Sequence, residues 1–475
     1  MNPQTRTLPP DQHFYLVGIG GAGMSVVAHL LHDMGYRVSG SDRNAADTLP
    51  ELRRLGIEIF IGHDAAHVPL DAIVVVTSAV HDDNPEYARA QELGLEIWHR
   101  SEALAFCTRS HDLVAVAGAH GKTTTSSMIS HALLTCGLDP SFAIGGVIAS
   151  LHTGARLGKG RAFVIEADES DGSFLNYSPY VEVITNIEAD HLDHWGSVAA
   201  FEQVFADFIS RLRPEGHLVM CADDAGVRRV LSRLETVPHL VSYGFDASLA
   251  HSEVSITLSE ARLDPGAAGA LLTVQQGDKT LFSRSFTLQV GGRHMLLNAA
   301  GAVGAAASLG LNLDEFLSAL ETFTGAERRL EFLGTVDGVR LYDDYGHHPT
   351  EVAATLEAAR ALGGSGCLIV CFQPHLYSRT QTFCRDFARV FAAADALVTC
   401  GVYAAREEPI PGVNGNSISD LMGDNATFVE DMYAAGAAAF NQAKPGDLLL
   451  FLGAGDITHV GRDLVKEGRP RLVKP

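Results

Sequence analysis

No apolar run in this sequence of 475 residues approaches the roughly 18 residues that a membrane-spanning helix needs. Residues 1–6 lack the apolar core that a secretory signal carries. Positive charge is scarce as well, because 35 Lys and Arg stand against 57 Asp and Glu, which gives a formal net charge of −22. Such an excess of negative charge disfavours binding to nucleic acid or to an anionic membrane. These absences predict a cytoplasmic protein that binds neither nucleic acid nor membrane.

Paired cysteines are also missing, since the seven cysteines form no C-x-x-C motif. An odd and scattered set of this kind is typical of a reducing compartment and not of a disulfide scaffold. Apolar residues make up 46% of the chain, which is enough to fill substantial cores. The length predicts two or three domains.

A glycine turn at residues 118–121 follows the apolar run 113–117 and precedes a helical pattern at 126–134. A strand, a glycine turn and a helix start place backbone N–H groups around an anion, and Lys122 and Thr123 follow directly. The spacing departs from G-x-x-x-x-G-K-[ST], because Val116 stands where that motif has its first glycine. We interpret the turn as a nucleoside triphosphate site; the alternative is an ordinary β–α turn with a surface lysine.

A second glycine turn, G-x-G-x-x-G at residues 18–23, lies between a predicted strand at 14–18 and a predicted helix at 24–34. The next predicted strand, 36–40, is followed by Asp42, where a Rossmann unit places an acid for a ribose hydroxyl. The residues alone indicate NAD by default, or glycines that serve only helix–strand packing. Two phosphate-binding turns so close together favour a nucleotide-sugar or dinucleotide beside a nucleoside triphosphate.

Four acids within six residues, 166–171, end the apolar strand predicted at 162–165. Acids at the end of a strand beside a phosphate-binding loop usually organise magnesium, and Glu166 and Glu169 are the first candidates. Another buried strand at 181–187 is followed by His191 among carboxylates. Because no cysteine is near, this set favours a hard cation over zinc, and His191 could equally contact phosphate.

In the last third of the chain, three predicted strands end in polar clusters, at residues 342–350, 373–380 and 453–456. The carboxyl ends of parallel strands meet at one edge of an open α/β sheet, so these clusters predict a third site. Asn298, at the start of a predicted helix over 299–309, is a candidate for contacting adenine.

Together these patterns resemble the Mur ligases of peptidoglycan synthesis, and within that family the alanine-adding members. The most specific strings are Glu-Ala-Asp-Glu-Ser-Asp at 166–171 and Asp-Asp-Tyr-Gly-His-His-Pro at 343–349. The resemblance implies an α/β protein of three domains: a Rossmann-like UDP-sugar domain (1–108), a P-loop ATPase-type domain (109–326) and a Rossmann-like amino-acid domain (327–475). It also implies a monomer or homodimer that uses ATP and Mg²⁺ to join L-alanine to the lactyl carboxylate of UDP-N-acetylmuramate through an acyl phosphate.

The resemblance implies roles for individual residues. The expected ATP-binding residues are Gly118, Ala119, His120, Gly121, Lys122, Thr123, Thr124, His294, Asn298 and Arg328. The expected substrate-binding residues are Gly20, Gly21, Ala22, Gly23, Asp42, Ser78, Tyr345, His347, His375 and Arg379. The expected metal ligands are Thr123, Glu166 and His191, and the expected catalytic residues are Lys122, His191, His347, Arg379 and Asp344.

The chain departs from the family pattern at Leu376, where an arginine is usual, and at Met295, where His-Asn is usual. The customary glycine before Glu407 is also missing. Three other interpretations stay open at this point: another ligase of the group, an NAD-dependent oxidoreductase that uses residues 18–42, and a non-catalytic protein that keeps the fold.

Overall fold

Alternating strands and helices build three sheets in a computed structural model that describes residues 6–46, 48–188, 195–234, 236–237, 239–249, 252–405 and 407–470. The described chain divides into two compact units. The first comprises Met1–Thr257, Thr273–Ser283 and Ala299–Leu320, and the second comprises Leu258–Leu272, Arg284–Asn298 and Glu321–Pro475. Among the described residues, no helix combines the length and the apolar character that crossing a membrane would require.

The N-terminal sheet has five parallel strands in the order β3-β2-β1-β4-β5. The strands are β1 His13–Val17, β2 Arg37–Asp42, β3 Glu58–Ile61, β4 Ala72–Val76 and β5 Ile97–His99. The helices are Ala22–Asp33, Leu49–Arg54, Pro85–Glu92 and Arg100–Thr108, with a 3₁₀ turn at Ala65–His67. This strand order is that of a Rossmann-like unit, as the glycine pattern predicts. Every residue of β1 and β4 is buried, as expected for strands covered on both faces.

The central sheet has ten strands in the order β15-β14-β13-β12-β11-β10-β6-β9-β7-β8. They are β6 Asp112–Ala117, β7 Ser141–Ile148, β8 Thr153–Arg156, β9 Ala162–Glu166, β10 Val181–Ile184, β11 His217–Cys221, β12 Leu240–Gly244, β13 Val254–Asp264, β14 Ala267–Gln276 and β15 Lys279–Leu288. The helices are Lys122–Thr135, Val198–Ile209, Ala225–Leu231, Arg293–Ser308 and Leu313–Leu320, with a 3₁₀ turn at Ser173–Asn176. β6 pairs in parallel with β9 and β10, so the ends of all three strands meet at one edge.

The C-terminal sheet has six strands in the order β16-β17-β21-β18-β19-β20. They are β16 Glu331–Val336, β17 Val339–Asp344, β18 Leu368–Phe372, β19 Ala396–Thr399, β20 Ala426–Phe428 and β21 Leu448–Leu452. The helices are Pro349–Gly363, Tyr377–Phe391, Asn416–Ser419, Met432–Gln442 and Ile457–Glu467, with a 3₁₀ turn at Gly423–Asn425. β17, β21 and β18 run in parallel, which confirms the predicted common edge for the three polar clusters.

Candidate active site

The turn after β6 has the backbone that a phosphate-binding loop needs. Gly118 has a φ of +137° and Gly121 a φ of +82°, both in the region that favours glycine. A Cβ at position 118 would lie 2.1 Å from Oγ1 of Thr185 and 2.9 Å from the carbonyl oxygen of Asn186. The helix Lys122–Thr135 begins directly after Gly121, and no acid lies in its first turn. The positive end of this helix is therefore available to an anion.

Lys122 is held within the loop by an ion pair. Its Nζ donates hydrogen bonds to the carbonyl oxygens of Gly118 at 2.6 Å and Ala119 at 3.2 Å, and to Oε1 of Glu169 at 2.9 Å. Burial opposes the charge on Lys122, but the carboxylates of Glu169, Glu166 and Asp168 outweigh it and hold the lysine pKa above its ordinary value. Burial raises the pKa of Glu169 to about 7, with Lys122 opposing that rise. Lys122 therefore carries a positive charge and can bind an anion.

The hydroxyl of Thr123 and the carboxylate of Glu166 face each other in front of the loop. Oγ1 of Thr123 lies 3.1 and 3.0 Å from the two carboxylate oxygens, and Glu166 also accepts a hydrogen bond from the N–H of Gly145 at 2.9 Å. Two hard oxygen donors beside a phosphate-binding loop fit a divalent cation such as Mg²⁺. Glu166 is therefore better placed than Glu169, which pairs with the lysine. His191, the third expected ligand, lies outside the described residues, and its role stays a prediction.

Residues that follow β10 brace the loop, although the sequence motifs predict no role for them. The amide of Asn186 accepts from the N–H of His120 at 2.9 Å and donates to the carbonyl oxygen of His120 at 2.8 Å. Thr185 donates to the same carbonyl at 2.6 Å, and Nε2 of His120 lies 3.2 Å from a carboxylate oxygen of Glu188. The adjacent polar residues Thr185 and Asn186 within the apolar run 181–187 are the signal that could have identified this brace. Thr124, by contrast, is buried in the first turn of the helix.

The glycine loop at 18–23 is fastened to the end of β2. The carbonyl oxygen of Ser41 accepts from the N–H groups of Gly18 and Ile19, both at 2.8 Å. The carboxylate of Asp42 accepts from the N–H of Gly20 at 2.8 Å. Asp42 thus shapes the loop, in addition to any contact with a ribose. Gly21 precedes the helix that begins at Ala22.

Ser78, at the end of β4, links the first sheet to the acidic string. Its hydroxyl donates to Asp171 at 3.1 Å and lies 3.2 Å from Nε2 of His99. Ser78 therefore lies beside one of the four acids, a contact that sequence spacing does not reveal.

The helix that carries His294 and Asn298 begins at Arg293, six residues earlier than predicted. Asn298 is buried and His294 is half-buried on its first turns. Burial, with help from Arg329, lowers the pKa of His294 to about 4. A neutral imidazole and a carboxamide suit the neutral edge of an adenine, which remains their predicted role.

Arg328 points into the C-terminal sheet. Its guanidinium donates to the carbonyl oxygens of Gly453 at 2.6 Å and Gly455 at 3.1 Å, and lies over the ring of Tyr345 at 4.7 Å from the centroid. These contacts join the segment just before β16, where the C-terminal sheet begins, to the loop after β21. The predicted contact of Arg328 with ATP remains a prediction.

The structure brings four of the predicted substrate residues together after β17 and β18. The ring centroids of Tyr345 and His347 are 5.4 Å apart, and those of His347 and His375 are 5.5 Å apart. Nδ1 of His375 accepts from Arg379 at 3.2 Å, and the ring also stacks on Tyr403. Arg379 is buried, which gives its charge a strong local field.

Asp344 sits behind this cluster at the end of β17. Its carboxylate accepts hydrogen bonds from the N–H groups of Leu330 at 2.7 Å and Gly346 at 2.8 Å, and from the hydroxyl of Thr355 at 3.1 Å. Burial raises its pKa to about 6, with Arg329 opposing. These bonds fix the turn that presents Tyr345 and His347. They make Asp344 a positioning residue first and a candidate base second.

Leu376, which replaces the usual arginine, has an unusual backbone. Its φ of +68° lies in the region that favours glycine, and its side chain is buried. Its N–H donates to Tyr403 at 3.0 Å, and its carbonyl accepts from Thr380 at 2.7 Å. The strained residue therefore shapes the turn that presents His375 and Arg379.

Comparisons with known proteins agree with this architecture. Three family models match: Mur ligase family, catalytic domain, over residues 13–111; Mur ligase middle domain, over 116–306; and Mur ligase, glutamate ligase domain, over 328–455. The UDP-N-acetylmuramate–L-alanine ligase of Kineococcus radiotolerans is 46% identical over 458 residues, 95% of each chain. That of Mycobacterium marinum is 43% identical over 474 residues, 98% of this chain and 96% of the relative.

Solved structures give the same result. The UDP-N-acetylmuramate–alanine ligase of Thermotoga maritima superposes with a TM-score of 0.78 at 29% identity, over 96% of this chain and 98% of that one. A murein peptide ligase of Psychrobacter arcticus has a TM-score of 0.71 at 24% identity, which shows the shared fold alone. With three matching domain models and relatives similar along nearly the whole length, this chain belongs to the Mur ligase family.

Proposed function

We propose that the protein joins L-alanine to the lactyl carboxylate of UDP-N-acetylmuramate, with ATP converted to ADP and phosphate, in the synthesis of peptidoglycan precursors. The observation that carries the proposal is the grouping of Lys122, Thr123 and Glu166 at the loop after β6, in a chain whose full-length relatives are alanine ligases. An NAD-dependent oxidoreductase would leave this second phosphate site without a purpose. A cytoplasmic location and a monomeric or homodimeric state remain predictions from the sequence.

The reaction has two steps, because an ionised carboxylate is a poor electrophile. In the first, an oxygen of the lactyl carboxylate attacks the γ-phosphorus of ATP. The bond between that phosphorus and the oxygen bridging to the β-phosphate breaks, ADP departs, and the lactyl group becomes an acyl phosphate. In the second, the amino group of alanine attacks the acyl carbon, the carbon–oxygen bond to phosphate breaks, and the amine loses a proton. Lys122 would neutralise charge on the transferring phosphoryl group, and such electrostatic stabilisation is the main catalytic contribution in phosphoryl transfer.

Thr123 and Glu166 would hold Mg²⁺, and His191 is the predicted further ligand. The ion would withdraw charge from the phosphate oxygens. Glu169 serves a different purpose, since it holds Lys122 in place at 2.9 Å. Gly118, Ala119, His120, Gly121 and Thr124 would contribute the surrounding loop and helix start.

His347 is the better candidate for accepting the proton of the amine. Its Nδ1 lies 3.1 Å from the carbonyl oxygen of Tyr345, which can only accept, so Nδ1 carries the hydrogen. This tautomer leaves Nε2 as the basic nitrogen. Arg379 would bind the alanine carboxylate, and His375 holds that guanidinium at 3.2 Å. Asp344 would act through the turn it stabilises.

A phosphate-release assay tests the proposal. The protein is incubated with UDP-N-acetylmuramate, ATP and Mg²⁺, and with alanine, serine, glycine, glutamate or a murein tripeptide in turn. Alanine should give the highest rate, and no phosphate should appear without the muramoyl substrate. Lys122→Ala should lower the rate by at least about a hundredfold, since about 1.4 kcal/mol of barrier is tenfold in rate. A higher rate with the tripeptide would assign the protein to peptide recycling, and no release with any amine would refute the proposal.

A further inference from the structure

We infer that Arg100 binds the diphosphate of the nucleotide-sugar substrate at the glycine loop, and that it exchanges its ion pair with Asp168 for that contact. The inference rests on the proposed function, which places the nucleotide-sugar at residues 18–23. Arg100 lies outside both glycine motifs, about 80 residues from the loop, so the sequence patterns did not identify it.

The backbone of Arg100 is fixed at the start of a helix. It follows β5 and is the first residue of the helix Arg100–Thr108. The N–H of His99 donates to Glu102 at 2.7 Å, and the side chain of His99 completes a capping box. The guanidinium is half-buried, so its direction is constrained by packing.

The side chain of Arg100 lies across Gly23, the last glycine of the loop. A Cβ at position 23 would be 2.8 Å from a terminal nitrogen of the guanidinium and 3.1 Å from Cδ of Arg100. The absence of a side chain at position 23 therefore makes room for this arginine. This gives the third glycine of the motif a purpose beyond helix–strand packing.

The positive charges around Gly23 favour the binding of an anion. Gly23 lies in the first turn of the helix Ala22–Asp33, which has no acid in that turn and no side-chain cap. A cation beside the positive end of a helix dipole is unfavourable unless a negative group shares the site, and the carboxylate already at the loop, Asp42, is bonded to the N–H of Gly20. The ion-pair partner of Arg100 within the described chain is Asp168, 3.9 Å away and 45% exposed. So loose a pair contributes little, and a doubly charged diphosphate would replace it readily.

Three other arginines near the first sheet have acidic partners of their own. Arg6 pairs with Glu96, Arg37 with Asp71 and Arg89 with Glu92. The loop itself, residues 18–24, contains no Lys or Arg. Arg100 is the arginine whose guanidinium lies directly against Gly23 of the loop.

The exchange also changes the charge beside ATP. Asp168 lies one residue before Glu169, which accepts a hydrogen bond from Lys122 at 2.9 Å. When Arg100 turns to the diphosphate, Asp168 loses its ion-pair partner and leaves an uncompensated negative charge next to the Glu169–Lys122 pair. The same arginine therefore links the nucleotide-sugar site to the ATP site through two neighbouring acids.

Isothermal titration of uridine, UMP and UDP with the full chain tests the inference. Arg100→Gln should weaken UDP binding roughly 10- to 100-fold, as expected for loss of a charged hydrogen-bonding group, and should leave uridine binding unchanged. The matched control is Arg109→Gln, just past the other end of the same helix, where the guanidinium lies 3.7 Å from the ring centroid of Phe106. That control should bind UDP as the wild type does.

Asp168→Asn supplies a second, independent measurement. Removing the competing carboxylate should tighten UDP binding severalfold in the Arg100 background and should have no effect when Arg100 is already Gln. An equal loss of uridine and UDP affinity in Arg100→Gln would show a structural role and overturn the inference, as would unchanged UDP binding. Failure of the proposed function looks different, because the wild-type protein would then bind neither UDP nor uridine.

Discussion

Glu182 is expected to destabilise the protein at neutral pH. It lies within β10, next to Ala115 of β6 and Leu218 of β11, and it is fully buried. Neither carboxylate oxygen has a hydrogen-bond partner in the described part of the chain. Burial raises its pKa well above the ordinary value. The unfolded chain is ionised at pH 7, so folding must take up a proton at this residue.

The cost follows from the linkage between protonation and folding. An unfolded glutamate has a pKa of about 4.3, and each pH unit above that value costs about 1.4 kcal/mol until the folded pKa is reached. If the folded carboxyl stays protonated, the cost at pH 7.3 is about 4 kcal/mol. A raised carboxyl pKa gives stability that is present below about pH 4.3 and is lost as the pH rises. Glu182→Gln keeps the size and polarity but removes the ionisation, so its advantage should be near zero at about pH 4.3 and grow with pH.

Thermal unfolding between pH 5 and pH 8 measures this advantage as a difference in midpoint. Midpoints are compared because a protein of three domains need not unfold in one step. Glu202→Gln is the matched control, since Glu202 is also buried but pairs with Arg229 and Arg233, both at 2.6 Å. That substitution should lower the midpoint. A midpoint difference for Glu182→Gln that stays constant with pH, or reverses at pH 8, would refute the reasoning.

Three further predictions concern the sites. Glu166→Gln should raise the Mg²⁺ concentration for half-maximal activity about tenfold, whereas Glu169→Gln should leave it nearly unchanged, and a Mg²⁺ titration of phosphate release separates the two. Gly118→Ala should abolish ATP binding, measured by calorimetry, because its Cβ would meet Thr185; Gly137→Ala, at a φ of +73° with open space around it, should lose only about 1 kcal/mol of stability and should bind ATP normally. Leu376→Gly should be more stable to urea than Leu376→Ala by about 1 kcal/mol, because only glycine relieves the positive φ; the reverse order would show an unstrained backbone.

Features that depend on neighbouring residues in the sequence could be predicted. The loop around Lys122, the strand that ends at Glu166 and the helix after the first glycine motif each carry their own signal, and their bounds shift by only a few residues. The helix at Arg293 begins earlier than expected, since Gly292 and not the small-residue run marks its start. The common edge of β17, β18 and β21 could also be predicted from the sequence, because parallel strands align their carboxyl ends.

Contacts across the sheet could not be predicted. Gly145 donates to Glu166 because β7 lies beside β9, and nothing in its sequence surroundings indicates this. The brace between Asn186 and His120 depends on the pairing of β6 with β10. The sequence does not indicate the positive φ of Leu376, because leucine normally avoids that conformation.

The four acids at 166–171 lie close together in the sequence but do not share one function. Each has a different partner: Thr123 for Glu166, Arg100 for Asp168, Lys122 for Glu169 and Ser78 for Asp171. Two of these partners are the cations assigned to two different phosphate groups. Without an anion beside them, Lys122 and Arg100 would each be an uncompensated, partly buried positive charge near the positive end of a helix, and this would lower the stability of the fold. Neighbouring acids that hold both cations, and that yield to phosphate, make the two substrate sites compatible with a stable fold before either substrate binds.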